Sequence, residues 1–196
     1  MSFDYYDQNA KQFFANTFAV NMSDIYSRFL GRLTQSSRIL DMGCGSGRDA
    51  LYFHNQGHIV EAFDASLEMV KLASEATALN VKHCTFQNYN PVSFFNGIWA
   101  CASLLHLPKN EHQAIILKYY KTLVSGGIFY MSFKYGADDY EKKGRHFSCH
   151  DEATMNELLE KSLTNYQSDI WVSEDVRKER ESEMWLNVLL TKEEIC

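Results

Sequence analysis

The segment from Ile39 to Asp49 most constrains how this chain can fold, because it joins an apolar run to three glycines on alternate positions. The apolar run predicts a short buried strand that ends abruptly at Gly43. Glycine at Gly43, Gly45 and Gly47 permits positive φ angles and lets the backbone approach a ligand closely. A helix that begins at Arg48 would direct its unpaired N–H groups at that ligand. The pattern predicts a nucleotide-cofactor site at the end of the first strand.

The spacing of the glycines bears on which cofactor binds. A dinucleotide fingerprint would place its third glycine at the position of Arg48, one residue later than here. The carboxylate of Asp41 would repel a pyrophosphate and attract an ammonium group, and S-adenosylmethionine carries such a group. The next strand, His58–Phe63, leads to Asp64, whose carboxylate can accept hydrogen bonds from both ribose hydroxyls in either cofactor class. These residues favour S-adenosylmethionine over NAD.

Two motifs give the chain a family resemblance. The run Leu40-Asp41-Met42-Gly43-Cys44-Gly45-Ser46-Gly47 resembles motif I of the class I S-adenosylmethionine-dependent methyltransferases. The turn Ser125-Gly126-Gly127 and the apolar run after it are similar to that family's junction before the fifth strand. The resemblance covers nearly the whole chain and is to the small single-domain bacterial group that includes tellurite-resistance enzymes of the TehB type. It implies S-adenosyl-L-methionine as cofactor and S-adenosyl-L-homocysteine as product.

Helical and extended patterns alternate along the chain, which predicts a doubly wound α/β fold. We expect a Rossmann-like sheet of about seven strands with an antiparallel last strand and helices on both faces. The length suits one methyltransferase domain over residues 1–196. Within it, residues 1–31 are expected to form an N-terminal helical lid, and residues 38–196 the Rossmann-like core.

The expected cofactor contacts lie at the carboxyl ends of the strands, because ligands in this fold bind at that edge of the sheet. After the third strand, members of the family usually carry an acidic or amide side chain beside adenine. This chain has Gln87 and Asn88 there, with a backbone amide as the alternative. The complete predicted cofactor set is Asp41, Gly43, Cys44, Gly45, Gly47, Asp64, Ala65, Gln87, Asn88, Ala100 and Cys101.

The implied reaction is an in-line displacement in which alignment of donor and acceptor supplies most of the acceleration. His106 is a candidate general base because its unperturbed pKa is near neutrality, and the alternative is a histidine that packs and caps a loop. Tyr135 is a second candidate base, and an already ionised acceptor would need neither. Tyr5 and Tyr6 of the lid either contact the ligands or form a packed aromatic face.

Basic side chains after the fifth strand are candidate contacts to the methyl acceptor. The stretch 134–150 is expected to be a polar loop that borders the substrate pocket and carries acceptor specificity. Lys134, Arg145 and Arg177 could bind an anionic group, since guanidinium forks match carboxylate or phosphate oxygens. The alternative is a solvated charge run paired with glutamates, which is favoured slightly for Arg177 but not for Arg145.

Charge and cysteine content narrow the expected partners. The net charge of -6 disfavours nucleic-acid binding, and five cysteines without regular spacing suit a reduced, cytoplasmic protein without a metal. No apolar segment predicts membrane contact. A small-molecule acceptor is therefore the leading expectation, in a monomer or homodimer. A methyltransferase acting on RNA or protein, a non-catalytic S-adenosylmethionine-binding protein and, more distantly, an NAD-dependent enzyme are the alternatives.

Overall fold

The computed structural model describes residues 2–177, 180 and 182–194, without the side chains of residues 2 and 3. Its helices cover the N-terminal segment and alternate with the strands. They are α1 (Ser2–Thr17), α2 (Ser23–Leu30), α3 (Arg48–Asn55), α4 (Leu67–Thr77), α5 (Lys109–Tyr120) and α6 (Glu152–Ser162), with a single 3-10 turn at Leu104–His106 in the stretch between β4 and α5. None of the helices in these ranges is long and apolar enough to cross a bilayer.

The strands form one large sheet and a separate hairpin. They are β1 (Arg38–Met42), β2 (Ile59–Asp64), β3 (Val81–His83), β4 (Phe95–Ala100), β5 (Leu123–Tyr135), β6 (Tyr140–Lys142), β7 (Arg145–Phe147), β8 (Cys149–His150), β9 (Tyr166–Glu174) and β10 (Met184–Lys192). The large sheet has the order β3-β2-β1-β4-β5-β10-β9, and its first five strands are parallel. Strand β10 is antiparallel to both of its neighbours. The predicted Rossmann-like fold with an antiparallel last strand is confirmed.

Alternation along the central strands divides the core between the two faces of the sheet. In β4, Ile98 packs in a cluster with residues of α5 and α6, whereas its neighbour Trp99 packs with residues of α2 and α3. Phe129 and Tyr130 of β5 divide in the same way. Because both faces are covered by helices, these strands appear in the sequence as nearly continuous apolar runs.

Several element boundaries are set by local features of the chain. Ser66, a residue type favoured at helix N-termini, caps α4, and its hydroxyl accepts a hydrogen bond from the backbone N–H of Met69 at 3.2 Å. Strand β4 ends at Ala100, because Ala102, two residues later, has a positive φ of 51°. Strand β3 stops at His83, after which the chain enters a turn.

The expectation of a polar loop over residues 134–150 was wrong, since this stretch contains the antiparallel pair β6 and β7 and then β8. Two residues with positive φ, Lys143 and Gly144, connect β6 to β7, which is the backbone geometry favoured in two-residue hairpins. Across the pair, the rings of Tyr140 and Phe147 stack with centroids 4.9 Å apart. Short strands with this cross-strand contact leave little signal in the sequence.

Candidate active site

A large cleft of about 1080 Å³ opens at the carboxyl ends of the parallel strands. Its walls come from the glycine turn after β1, from α1, from the β6–β7 hairpin and from residues around the β9–β10 connection. Typical pockets for a single ligand have volumes of roughly 300–1,000 Å³. The cleft therefore has room for a cofactor and a second, smaller ligand.

The glycine turn takes positive φ angles at all three of its glycines, with values of 69° at Gly43, 54° at Gly45 and 77° at Gly47. A Cβ atom added to Gly43 would lie 2.7 Å from the Cβ of Ser103, and one added to Gly47 would lie 2.9 Å from a methyl group of Thr77. These two glycines are thus required by the turn's own packing as well as by its backbone angles. The sequence argument, which relied partly on ligand passage, did not include that packing.

Asp64 ends β2 and lines the cleft beside the glycine turn. Its two carboxylate oxygens accept hydrogen bonds from the backbone N–H groups of Gly45 at 2.8 Å and Ser66 at 2.9 Å. Burial raises the pKa of Asp64 above its usual value, and these backbone hydrogen bonds oppose the rise. Each oxygen keeps a lone pair for a further donor, as the pair of hydroxyls on a ribose would require.

Two buried polar atoms near the glycine turn have no hydrogen-bond partner: Oδ2 of Asp41 and Oγ of Ser103. Asp41 lies beneath the turn rather than on the cleft surface, whereas Ser103 lines the cleft. Burial and the nearby Asp49 carboxylate raise the pKa of Asp41 well above its usual value. Unpartnered buried polar atoms cost free energy and call for an explanation. A ligand with an ammonium group and polar edges suits these atoms, so this end of the cleft fits S-adenosylmethionine.

Beneath the turn, the carboxylate of Asp49 is fully hydrogen-bonded. Arg48 donates two hydrogen bonds to it, at 2.6 and 2.9 Å. The indole N–H of Trp99 donates another at 2.9 Å, and the Tyr26 hydroxyl also donates one. Burial alone would raise the pKa of Asp49, but the Arg48 guanidinium and these hydrogen bonds lower it. The network joins α2, α3 and β4 under the cofactor end. The sequence prediction missed it because Tyr26 and Trp99 are distant in the chain.

The loop after β3 provides the predicted adenine side of the cleft. Gln87 lines the cleft and donates a hydrogen bond to Glu111 at 2.6 Å, whereas Asn88 is exposed and lies outside the lining. Phe86, which the sequence analysis did not select, also lines the cleft, and its carbonyl accepts a hydrogen bond from Tyr119 at 2.9 Å. An aromatic ring and an amide therefore line the part of the cleft where the sequence predicts the adenine contact.

The other predicted cofactor residues divide between the lining and the interior. Cys44, Ala65 and Cys101 line the cleft, while Gly47 and Ala100 do not. Burial raises the pKa of the Cys44 thiol well above its usual value and that of Cys101 to about 12, so both remain neutral thiols. Every cysteine within the described ranges is free. The same ranges contain no group of three or more side chains that could hold a metal ion.

His106 lies at the opposite end of the cleft, in the 3-10 turn. Its Nδ1 lies 2.8 Å from the carbonyl of His146 and must donate to it, so its Nε2 is free to accept a hydrogen bond from the Tyr6 hydroxyl at 2.7 Å. Burial lowers the pKa of His106 to about 4, and it raises the pKa of Tyr6. Near neutral pH His106 is thus a neutral imidazole whose lone pair is directed at Tyr6. The sequence alone left the ligand contact of Tyr6 open.

Arg145 is held among aromatic rings beside this histidine. The centre of its guanidinium group lies 4.3 Å from the ring centroid of Tyr5 and 5.0 Å from that of Phe147. One terminal nitrogen lies 3.5 Å from the Tyr6 hydroxyl, and Nε is buried without a partner. Because Tyr5, Tyr6 and Phe147 come from α1 and β7, two distant segments meet at this arginine.

The other predicted substrate residues line the cleft but already have acidic partners. Lys134 pairs with Glu183 and lies 3.6 Å from the ring centroid of Trp185. Arg177 donates hydrogen bonds to both carboxylate oxygens of Asp175, at 2.6 and 2.8 Å. Burial alone would raise the pKa of Asp175, but these hydrogen bonds lower it to about 2.

Tyr135, the second candidate base, lies outside the cleft. Its side chain is 42% exposed, and a hydrogen bond with Glu152 raises its pKa. The structure therefore brings His106, Lys134, Arg145 and Arg177 to the cleft, but not Tyr135.

Helix α1 is anchored beside Asp64. The carboxylate of Asp7 accepts hydrogen bonds from the Ser66 hydroxyl at 2.6 Å and from the backbone N–H of Glu68 at 3.2 Å, at the N-terminus of α4. Phe13, further along α1, packs against Tyr6, and the centroids of the two rings lie 4.9 Å apart. The helix thus forms a wall shared by both ends of the cleft.

Comparisons with known proteins agree with this geometry. Residues 39–127 match the family model of a methyltransferase domain. None of the curated proteins compared with the chain matches it. Many solved structures share the fold. One is the 1,6-didemethyltoxoflavin-N1-methyltransferase of Burkholderia thailandensis with bound 1,6-didemethyltoxoflavin and S-adenosylhomocysteine, which is 20% identical, has a TM-score of 0.74 and aligns over 99% of this chain and 91% of its own.

Two further structures show the range of chemistry that the fold supports. The magnesium protoporphyrin IX methyltransferase of Synechocystis PCC 6803 is 14% identical, with a TM-score of 0.74 and coverage of 96% of this chain and 97% of its own. The [4+2]-cyclase SpnF is also 14% identical, with a TM-score of 0.73 and coverage of 97% and 94%. Residues 39–127 are thus similar to a methyltransferase domain, and the fold of the chain is the Rossmann-like fold of these structures.

Proposed function

We propose that the protein transfers a methyl group from S-adenosylmethionine to a small-molecule acceptor bound at the hairpin end of the cleft. One observation carries this proposal. A single cleft runs from the glycine turn and Asp64 to the part lined by α1 and the β6–β7 hairpin, where Tyr6, His106 and Arg145 meet. The two ends of the cleft thus suit two different ligands in contact with each other.

In this proposal the first end holds the cofactor. Asp64 accepts hydrogen bonds from the ribose hydroxyls, and Phe86 and Gln87 contact adenine. The field of the Asp41 carboxylate and the hydroxyl of Ser103 favour the amino-acid portion of the cofactor. When bound, the cofactor supplies a sulfonium-activated methyl group.

At the second end, the acceptor atom forms a bond to the methyl carbon while the electron pair of the carbon–sulfur bond remains with sulfur. The residues of this chain hold and align the acceptor, which is where most of the acceleration arises. If the acceptor atom carries a proton, the Tyr6 hydroxyl is the group placed to receive it, with His106 Nε2 taking the phenolic proton in turn. His106 therefore acts through Tyr6 in this scheme. Tyr135 has no part in it.

A finer assignment to the small single-domain group of TehB-type enzymes is also part of the proposal. Its support is that the elements of the fold account for nearly the whole chain.

Transfer of labelled methyl from S-adenosylmethionine tests the proposal. The protein is incubated with a desalted cell lysate to which the small-molecule fraction has been returned, and low-mass products are separated from RNA and protein. We expect label in the low-mass fraction with the wild type and much less, at limiting S-adenosylmethionine, with the cofactor-site variant Asp64→Ala. Label in RNA or protein would contradict the small-molecule acceptor. Binding of S-adenosylhomocysteine without any transfer would indicate a non-catalytic protein or, as for the cyclase of this fold, another reaction.

A further inference from the structure

The positive charges that line the cleft differ in whether they have a counterion. Arg48 is paired with Asp49, Arg177 with Asp175, and Lys134 with Glu183. Arg180 lies 3.9 Å from the same glutamate. For Arg145, in contrast, no carboxylate of the described ranges is an ion-pair partner, and its Nε is buried with no hydrogen-bond partner. Among the arginines of the cleft lining, Arg145 is thus the one without an acidic partner in the described ranges.

The groups around Arg145 pack against its guanidinium but supply few hydrogen-bond acceptors for its N–H groups. The rings of Tyr5 and Phe147 contact the guanidinium at 4.3 and 5.0 Å, and such ring contacts favour a cation but leave its N–H groups unused. Within the described ranges, its hydrogen-bond contact is with the Tyr6 hydroxyl and is long at 3.5 Å. A buried N–H such as that of Nε is costly without an acceptor. A fixed guanidinium fork with free N–H groups matches the oxygen atoms of a carboxylate or phosphate.

The position of Arg145 assigns this anion to the acceptor rather than to the cofactor. Arg145 lies on the hairpin, within reach of Tyr6, and Tyr6 is in turn hydrogen-bonded to His106. At the glycine turn, the charge of Arg48 is already balanced by Asp49, and Asp64 presents a carboxylate that accepts hydrogen bonds. Within the described ranges, an anionic group in the cleft would therefore find an arginine without an acidic partner on the hairpin and not at the glycine turn.

We propose that Arg145 binds an oxyanion group, a carboxylate or a phosphate, carried by the methyl acceptor. This inference rests on the proposed function, because it names the chemistry of the ligand at the hairpin end. It places the reacting atom of the acceptor near Tyr6, with the anionic group anchoring the molecule from the hairpin side.

Binding of small anions tests the proposal directly. Benzoate and phenyl phosphate are titrated calorimetrically into protein saturated with S-adenosylhomocysteine. We expect at least one of them to bind, and Arg145→Gln to weaken its binding roughly 10- to 100-fold, as for loss of hydrogen bonds to a charged group. The matched control is Lys121→Gln, which removes a positive charge from an exposed position outside the cleft lining and should leave the affinity unchanged. An equal loss in both variants would indicate unspecific attraction and overturn the proposal.

A second arm distinguishes the acceptor's anion from the carboxylate of the cofactor. S-adenosylhomocysteine carries an amino-acid carboxylate, whereas 5′-methylthioadenosine does not. We expect Arg145→Gln to bind both compounds as tightly as the wild type. If the variant lost affinity for S-adenosylhomocysteine alone, Arg145 would hold the cofactor and the proposal would be wrong.

A third arm uses turnover and separates failure of this inference from failure of the proposed function. The small-molecule fraction of the lysate is divided by anion exchange at neutral pH before the labelling reaction. We expect the labelled acceptor to come from the retained, anionic pool, with a KM that Arg145→Gln raises more than tenfold. Label arising only from the unretained pool would overturn the anionic acceptor while leaving methyl transfer intact. Absence of both S-adenosylhomocysteine binding and transfer would overturn the two together.

Discussion

The two ends of the cleft rest on buried polar groups in opposite charge states. Under the cofactor end, Asp49 is ionised and receives hydrogen bonds from Arg48, Tyr26 and Trp99. Under the acceptor end, two histidines are neutral: His112 Nδ1 lies 3.0 Å from His150 Nε2, and His112 Nε2 donates to the Leu104 carbonyl at 3.1 Å. One end is therefore held by an ion network and the other by neutral imidazoles, so acid and mutation should affect the two ends differently.

The ends also differ in how far apart their residues lie in the chain. Gly43, Gly45 and Asp64 belong to one strand–turn–helix unit and the strand after it. At the acceptor end, Tyr6 lies 100 residues from His106 and 139 residues from Arg145. A local unit can keep its cofactor while the distant partners vary. Cofactor binding thus depends on a local sequence motif, whereas acceptor binding depends on tertiary packing between distant segments.

The largest expected effect comes from breaking the ion network. Asp49→Asn leaves Arg48 buried without its counterion, so we expect the free energy of unfolding to fall by about 3–5 kcal/mol. Urea denaturation measures the loss. Asp169→Asn is the control, since Asp169 forms an exposed pair with Arg32 at 3.1 Å and should lose no more than about 1 kcal/mol. Equal losses in the two variants would mean that the network does not support the fold.

Acid is expected to destabilise the acceptor end of the cleft before it destabilises the cofactor end. Burial lowers the pKa values of His112 and His150 to about 4 in the folded protein, below the value of about 6.5 expected in the unfolded chain. The stability that depends on their neutral forms is complete above pH 6.5 and is lost as the pH falls towards 4. Uptake of one proton over this range costs roughly 3 kcal/mol.

Denaturation at a series of pH values measures this dependence. Lys109, Asp139 and Asp151 also influence the charge of His150. His106, with its own pKa of about 4, contributes in the same direction as the pair. His150→Asn should therefore reduce the slope between pH 6.5 and 4 without abolishing it. A slope unchanged by this substitution would exclude the pair as the source.

A variant without the carboxylate expected to bind the ribose tests whether the two ends of the cleft bind separate ligands. We expect Asp64→Ala to weaken S-adenosylhomocysteine binding by roughly 1–3 kcal/mol, as for loss of a charged hydrogen-bond partner. His106→Gln, at the acceptor end, should leave that affinity unchanged. Isothermal titration of both variants makes the comparison, and a similar loss in each would show that the two ends do not bind separate ligands.

The smallest effect is expected from the Tyr6 hydroxyl. Tyr6→Phe removes one hydrogen bond to His106, so we expect kcat/KM to fall about tenfold, corresponding to about 1.4 kcal/mol, with no change in S-adenosylhomocysteine affinity. Tyr5→Phe is the matched control because it retains the ring that contacts Arg145. If both phenylalanine variants kept full activity with an acceptor that must lose a proton, Tyr6 would not take part in proton transfer.

Much of the fold was predictable because its signals are local. Apolar runs bounded by glycines gave the parallel strands, Ser66 gave the start of α4, and the motif from Asp41 to Gly47 gave the cofactor class. The positive φ angles at the three glycines were expected and are present. These features depend on residues within a few positions of each other.

The remaining features depend on contacts between distant segments. The stacking of Tyr140 on Phe147 stabilises a hairpin in a stretch that appears as a polar loop in sequence. The positive φ of Ala102 ends β4 early and brings Ser103 to the cleft in place of Ala100. The sequence also gave no means of telling which arginine has a carboxylate within reach, since Arg145 and Arg177 differ only in their neighbours in space.

Helix α1 has a consequence for the order of events during turnover. Through Asp7 it is fastened beside the ribose-binding carboxylate, and through Tyr6 it completes the wall at the other end. We expect a ligand at the first end to stabilise the position of α1, and with it the wall that Tyr6 forms at the second end. Such a shared wall predicts compulsory-order kinetics, in which the methyl donor enters before the acceptor and leaves as the spent product after it.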